Sequence, residues 1–322
     1  MGNYKQRSPT GIDFGTSLLF VLYVNDAPEI IKKYTTTLFA DDASVIVRTD
    51  KDNTEDEIGE TLETLNEYFI SNNLVENVDK TTIVNYNPTN KQNINQINIQ
   101  RGNIKLTETH KSKFLGVTID KKPNFRSHVD DLVKKLNSYT YAIKTISKHV
   151  NKKAGIVAYY GYIFSNINYG IIYWGTSNDI DRVFRSQKAA VRAIFGLTSR
   201  ESCRETFTNN KIMTVPSIYI FQCILFIQKY YEDFFKSAET NHRYKTRGSE
   251  RKTLTTLKTK YSYIQNSPTQ KMISVYNKHL RLTRDKNIPN LKMYLKDFLT
   301  KHCLYAITDY MSLREEQQIS NQ

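Results

Sequence analysis

Residues Thr35 to Val47 read TTTLFADDASVIV. Two arms rich in Thr, Val, Ile and Phe flank a central Asp41-Asp42, the pattern of a tight hairpin with an acidic turn. Adjacent carboxylates repel, so a fold keeps such a pair either in open water or around a cation, and for carboxylate oxygens the natural cation is Mg²⁺. Oxygen ligands holding two Mg²⁺ ions about 4 Å apart serve phosphoryl or nucleotidyl transfer: one ion sharpens a hydroxyl nucleophile while the other steadies the leaving group. A solvated Asp-Asp turn is the plain alternative.

Upstream of the hairpin, Leu18 to Val24 is a short apolar run ended by Asn25, Asp26 and the Ala27-Pro28 break, and it reads as a buried helix end or strand. Downstream, Ile58, Leu62, Leu65 and Phe69 recur at spacings of four, three and four within Asp52 to Asn73, an amphipathic helix expected to cover one sheet face. Thr81 to Tyr86, Ile94 to Ile99, Ile104 to Leu106 and Phe114 to Ile119 are strand-like runs split by Asn-rich or Gly-containing turns. Residues 1–120 therefore read as an α+β layer, a short antiparallel sheet with covering helices. From Phe125 the period becomes helical: Val129, Leu132, Val133, Leu136, Ile143 and Ile146, then Ile180, Val183, Phe184, Ala190, Val191 and Ile194. A buried helix is expected over about Val215 to Phe235, a basic stretch from Lys236 to Lys260, and further amphipathic helices over Thr269 to Leu280 and Leu291 to Met311. The expected organisation is 1–120, 121–235 and 236–322.

The charge is lopsided. The chain of 322 residues has 46 Lys and Arg against 32 Asp and Glu, a net of +14. Residues 1–150 hold 19 of each sign, so the whole excess lies in residues 151–322, with 27 basic and 13 acidic residues. Such a half seeks polyanions, either nucleic acid or an anionic surface. Lys152, Lys153, Arg182, Arg185, Lys188 and Arg192 are candidates for phosphate contact, with Arg185, Lys188 and Arg192 spaced three and four apart on one helix face. The run His242 to Lys252, HRYKTRGSERK, reads as a basic linker or an import patch. Three widely spaced cysteines, Cys203, Cys223 and Cys303, give neither a disulfide framework nor a zinc pattern. No apolar stretch is long enough to span a bilayer, so an intracellular protein without a membrane partner is expected.

Four ordered motifs resemble the reverse transcriptases of non-LTR, LINE-type (jockey-like) retrotransposons. Arg7-Ser8-Pro9-Thr10-Gly11 precedes LLFVLYVND at Leu18 to Asp26; the FADD hairpin follows at Phe39 to Asp42; NNLVENVDKT spans Asn72 to Thr81; FLGV lies at Phe114 to Val117. The helical half is also family-like, in YYGYIFSNINYGIIYWG (Tyr159 to Gly175) and RSQKAAVRAIFG (Arg185 to Gly196). The resemblance implies the later part of a polymerase palm followed by an all-helical thumb and C-terminal region. It implies RNA-templated addition of deoxynucleoside triphosphates to a DNA primer, with Asp41 and Asp42 binding Mg²⁺ and Lys80 protonating the leaving pyrophosphate. Pro9, Gly11 and Phe39 would position template and nucleotide, and Phe114, Leu115, Gly116 and Val117 would grip the primer. The sequence departs from the family at Arg7 and Thr10, where the family has Gly and Gln. The family's third carboxylate lies upstream of the Pro-Gly turn and has no counterpart here. Impaired catalysis is the expectation, with a catalytically dead nucleic-acid-binding remnant as the alternative. Ordinary core packing is expected for Tyr159, Tyr160 and Trp174.

Overall fold

The computed structural model describes residues 14–49, 53–86, 97–101, 104–122, 124–236, 253–283 and 288–314. Its contacts divide the chain into two compact units, Met1–Asn85 with Lys91–His110, and Tyr86–Asn90 with Lys111–Gln322. The fold is mixed α and β, with more helix than strand and with short antiparallel ladders.

The first unit opens with helix α1 (Phe14–Tyr23) and the single turn α2 (Ala27–Ile30). Leu18 to Tyr23 is helical as far as the chain's apolar run suggests, but it is not buried: Leu18, Leu19 and Leu22 are exposed, and of the run to Val24 only Val24 itself is buried. Six consecutive apolar residues wrap the whole circumference of the helix, so no single packing face could hide them all. Strands β1 (Thr35–Phe39) and β2 (Asp42–Ile46) pair antiparallel with Phe39 opposite Asp42, leaving Ala40 and Asp41 as a two-residue turn. None of the ten strand residues is fully buried.

Helix α3 (Thr54–Ser71) starts with Glu55, Asp56 and Glu57, whose charges suit the positive end of the helix. Its Ile58 and Leu62 pack on Ile97, Ile99 and Leu106, beside or within the hairpin of β3 (Asn98–Arg101) and β4 (Ile104–Thr107). The helix thus covers a sheet face, that of β3 and β4. Thr81 to Tyr86 does not form the expected strand; a 3₁₀ turn at Val78–Lys80 leads to a single bridge between Ile83 and Glu108. Strand propensity without a partner edge in register yields extended chain and no ladder.

In the second unit, β5 (Lys111–Phe114) and β6 (Val117–Asp120) form a hairpin around Leu115 and Gly116. Helix α4 (Arg126–His149) buries Val129, Leu132, Leu136 and Ile143 at helical spacing and packs along α8 (Ile180–Phe195). Between them run α5 (Lys152–Ala158), a wider π turn at Tyr159–Phe164, α6 (Ser165–Asn168) and α7 (Ile171–Trp174). The short α9 (Arg204–Asn209) leads to α10 (Val215–Lys229), which is buried along most of its length. Thr214 caps α10 by accepting the Ser217 N–H and donates its hydroxyl to the Leu304 carbonyl, tying the helix to the C-terminal segment. The expected single helix to Phe235 is two, α10 and α11 (Tyr231–Lys236), broken at Tyr230. The rest is α12 (Ser262–Gln265), α13 (Pro268–Thr283), α14 (Leu291–His302) and α15 (Ile307–Ser312). The last two are separated where Cys303 takes a left-handed φ of 45°.

Tyr159, Trp174, Phe207 and Tyr219 fill this core, while Tyr160 lies at the surface. Gly175 is required by close approach, because a Cβ there would collide with the Ile171 carbonyl and the Tyr219 ring. Gln187 is fully buried yet satisfied: it donates to the Tyr159 hydroxyl and the Met213 carbonyl and accepts from the Val215 N–H.

Candidate nucleic-acid and metal sites

Three constellations carry the candidate chemistry. In the first unit, the two-residue turn between β1 and β2 presents Asp41, with Asp42 as the first residue of β2. Ala40 takes a left-handed φ of 51°, which folds the strands back tightly. Phe39, Asp41 and Asp42 are exposed, Phe39 at 60%. Among the described residues neither carboxylate has a hydrogen-bond or ion-pair partner, so both keep their oxygens available. Lys80 ends the 3₁₀ turn of the same unit and is also exposed, without an ion pair among the described residues.

Hard, unpartnered carboxylate oxygens are the right donors for Mg²⁺. Among the described residues no three Asp, Glu, His or Cys side chains gather into a ligand set. At this turn Asp41 and Asp42 bring together two carboxylates, one short of such a set. The carboxylate just upstream is used structurally: Asp26 accepts the Tyr68 hydroxyl at 2.6 Å. Burial, aided by that hydrogen bond, pushes Tyr68 up to about 12.

The second constellation is the Phe114–Val117 hairpin of the second unit. Leu115 and Gly116 have φ of 44° and 79°, the paired left-handed conformations of a type I′ turn. The turn is braced from 54 residues away: the Tyr169 hydroxyl donates to the Leu115 carbonyl at 2.6 Å, and its ring lies where a Cβ on Gly116 would be 3.1 Å away. The next residue, Gly170, sits close to Val117, with room for a Cβ only 3.0 Å from the valine methyl. Near the start of β6, the Thr118 N–H donates to His128 Nδ1 at 3.3 Å, while His128 Nε2 is buried without a partner. Burial holds His128 below its usual range.

The third constellation is basic. Lys152 and Lys153 open α5, where their charges oppose the positive end of the helix. Both are exposed, and no carboxylate among the described residues pairs with them. On α8 the basic candidates are used unequally. Arg182 pairs with Asp130 and Asp179. Lys188 lies 4.5 Å from the Phe184 ring centre and 5.4 Å from that of Tyr305. Arg192 donates to the Glu201 carbonyl at 2.9 Å. Arg185 is exposed and lines a cleft between α4 and α8 together with Asn137 and Ser186.

Asp41, Asp42, Phe39 and Lys80 belong to one unit, and Phe114–Val117 and the basic candidates to the other. Pro9, Gly11 and the His242–Lys252 run lie outside the described residues. Sequence reasoning missed Tyr169, because a buttress 54 residues from its turn leaves no local signal. It also missed Gln187, whose polarity inside an apolar stripe was the available clue. The three cysteines are free and buried, and no helix among the described residues is long and apolar enough to cross a membrane. The chain matches no known family model, no curated protein and no solved structure.

Proposed function

We propose that the chain is part of an RNA-directed DNA polymerase of the non-LTR retrotransposon type and acts on an RNA template paired with a DNA primer. The observation that carries this reading is the pair of tight two-residue hairpins at the resembling motifs, FADD with both carboxylates open and FLGV braced by Tyr169. Asp41 and Asp42 would hold Mg²⁺, which would supply charge stabilisation for nucleotidyl transfer from a deoxynucleoside triphosphate. Lys80 would supply a proton to the leaving group, and the Phe114–Val117 turn would hold the primer strand. Pro9, Gly11 and Phe39 would position template and nucleotide. Work on nucleic acid suits the nucleus or the cytoplasm.

A second reading is a nucleic-acid-binding protein without polymerase chemistry. It is favoured by the charge distribution: the net +14 lies wholly in residues 151–322, whereas the carboxylate pair stands in the other unit.

Primer extension on an RNA template with Mg²⁺ separates the two. Extension that disappears in Asp41→Asn/Asp42→Asn, while duplex binding persists, is the outcome expected of the polymerase. Duplex binding with no extension by the parent chain discards the polymerase and leaves the second reading.

A further inference from the structure

From Leu132 to Asn178 the chain contains no Asp or Glu in 47 consecutive residues. The same segment has six lysines (Lys134, Lys135, Lys144, Lys148, Lys152 and Lys153) and seven tyrosines. In a chain with 32 acidic residues, roughly one in ten, such a run would by composition hold about five. The segment builds most of α4, all of α5, the π turn, α6 and α7, so the bias is spread over one contiguous helical part of the second unit.

Charge alone would describe any polyanion surface; the tyrosines narrow it. Tyr159 is buried and serves the core, but Tyr141 is 76% exposed, Tyr162 52%, Tyr169 55% and Tyr173 49%. Half-exposed aromatic rings lose apolar burial that a folded chain normally uses. Two of these rings are placed by contacts within the chain. Tyr162 packs on Tyr139 with ring centres 5.2 Å apart, and Lys135 reaches to 5.9 Å from the Tyr139 ring, so a cation, a partly covered ring and an open ring stand in sequence across α4 and the π turn. Asn166 of α6 donates its amide to the Tyr162 carbonyl in the π turn, and Tyr169 follows as the extended residue that ends α6. Tyr169 then meets the Leu115–Gly116 turn. The π turn belongs to a class of helix irregularity found often at functional sites. Gly161, between exposed Tyr160 and Tyr162, has open space where a side chain would stand, with nothing within 4 Å of a Cβ placed there, so no packing need within the chain explains it.

We infer that this lysine and tyrosine surface binds single-stranded nucleic acid, with lysines meeting phosphates and Tyr162, Tyr169 and Tyr173 offering ring faces on which unpaired bases stack. Duplex bases are already stacked on one another and have no free face to offer; only a single strand uses both halves of this surface. The inference rests on the nucleic-acid reading above and names the strand state that this surface takes.

The test is titration of fluorescein-labelled oligouridylate and oligothymidylate, an RNA–DNA duplex, and phosphatidylserine vesicles, at two salt concentrations. The parent chain should bind the single strands with affinity that falls as salt rises. Tyr162→Ala/Tyr173→Ala should weaken single-strand binding at least tenfold and duplex binding less than twofold, whereas Tyr162→Phe/Tyr173→Phe should stay within twofold because the ring is retained. Equal loss with oligouridylate and oligothymidylate would mark stacking indifferent to the 2′-hydroxyl; loss with one alone would assign the surface to that polymer. Single-strand affinity unchanged in the alanine variant, with its melting transition intact, overturns the inference. So does a parent chain that binds the duplex or the vesicles but neither oligonucleotide. Duplex binding without single-strand binding would leave the proposed function standing, and single-strand binding without primer extension would leave this surface standing.

Discussion

Gln187 shows how a single polar side chain organises the helical unit. It sits in α8 with no exposure, and its amide joins three elements: Tyr159 in the π turn, the Met213 carbonyl before α10, and the Val215 N–H at the start of α10. The first N–H groups of a helix lack intrahelical partners, so the Gln187 oxygen satisfies a donor that burial would otherwise strand. Gln187→Leu keeps much of the volume but orphans that donor and the Met213 carbonyl. At about 1–3 kcal/mol for each of the two orphaned buried groups, the expected loss is roughly 2–6 kcal/mol, read as a lower urea midpoint with unchanged slope. A loss under about 0.5 kcal/mol would mean that water or a neighbour replaces the amide.

At the scale of elements, the two tight hairpins differ in what supports them. The FADD ribbon has two strands of five residues and no fully buried side chain, and isolated two-stranded hairpins are marginal in water. The FLGV hairpin has a distant tyrosine bonded to its turn and a buried Thr118 held by His128. The π turn raises a separate point. Gly161 lies in a helical run, where glycine costs about 0.5–1 kcal/mol relative to alanine, and its surroundings leave open space for a methyl group. Gly161→Ala should therefore raise the melting temperature by about 1–4 °C by calorimetry. A drop instead would show that the wider turn needs the freedom of glycine.

At the scale of the whole molecule, two buried histidines make stability sensitive to acid. Burial lowers His279 to about 4 and also lowers His128, so both resist protonation in the folded chain more than in the unfolded one. The unfolded chain therefore takes up protons first as pH falls below about 6.5, the ordinary histidine value, and stability falls with it. Stability from these groups is complete above that value and declines toward pH 4. His279 alone should contribute a loss of about 2 kcal/mol between pH 7 and pH 5. Urea midpoints across that range should fall, and His279→Gln should flatten the fall; a midpoint independent of pH in the parent chain would rule out neutral buried histidines.

Short-range pattern carried much of the local structure. The β arms around Asp41-Asp42 specified a hairpin, the spacing from Val129 to Ile143 specified α4, and that from Val183 to Ile194 specified α8, because strand and helix periods follow from backbone geometry shared by neighbours in sequence. The regional charge was equally legible, since it is a property of composition. Tertiary structure alone decided which apolar residues were covered, leaving Leu18, Leu19 and Leu22 exposed, and which cations were free, engaging Arg182, Lys188 and Arg192 while leaving Arg185 open. It also brought Tyr169 to the Leu115–Gly116 turn. Periodicity marks which face of an element is apolar, but burial and pairing depend on what arrives beside that face from distant parts of the chain, and short-range spacing does not encode that.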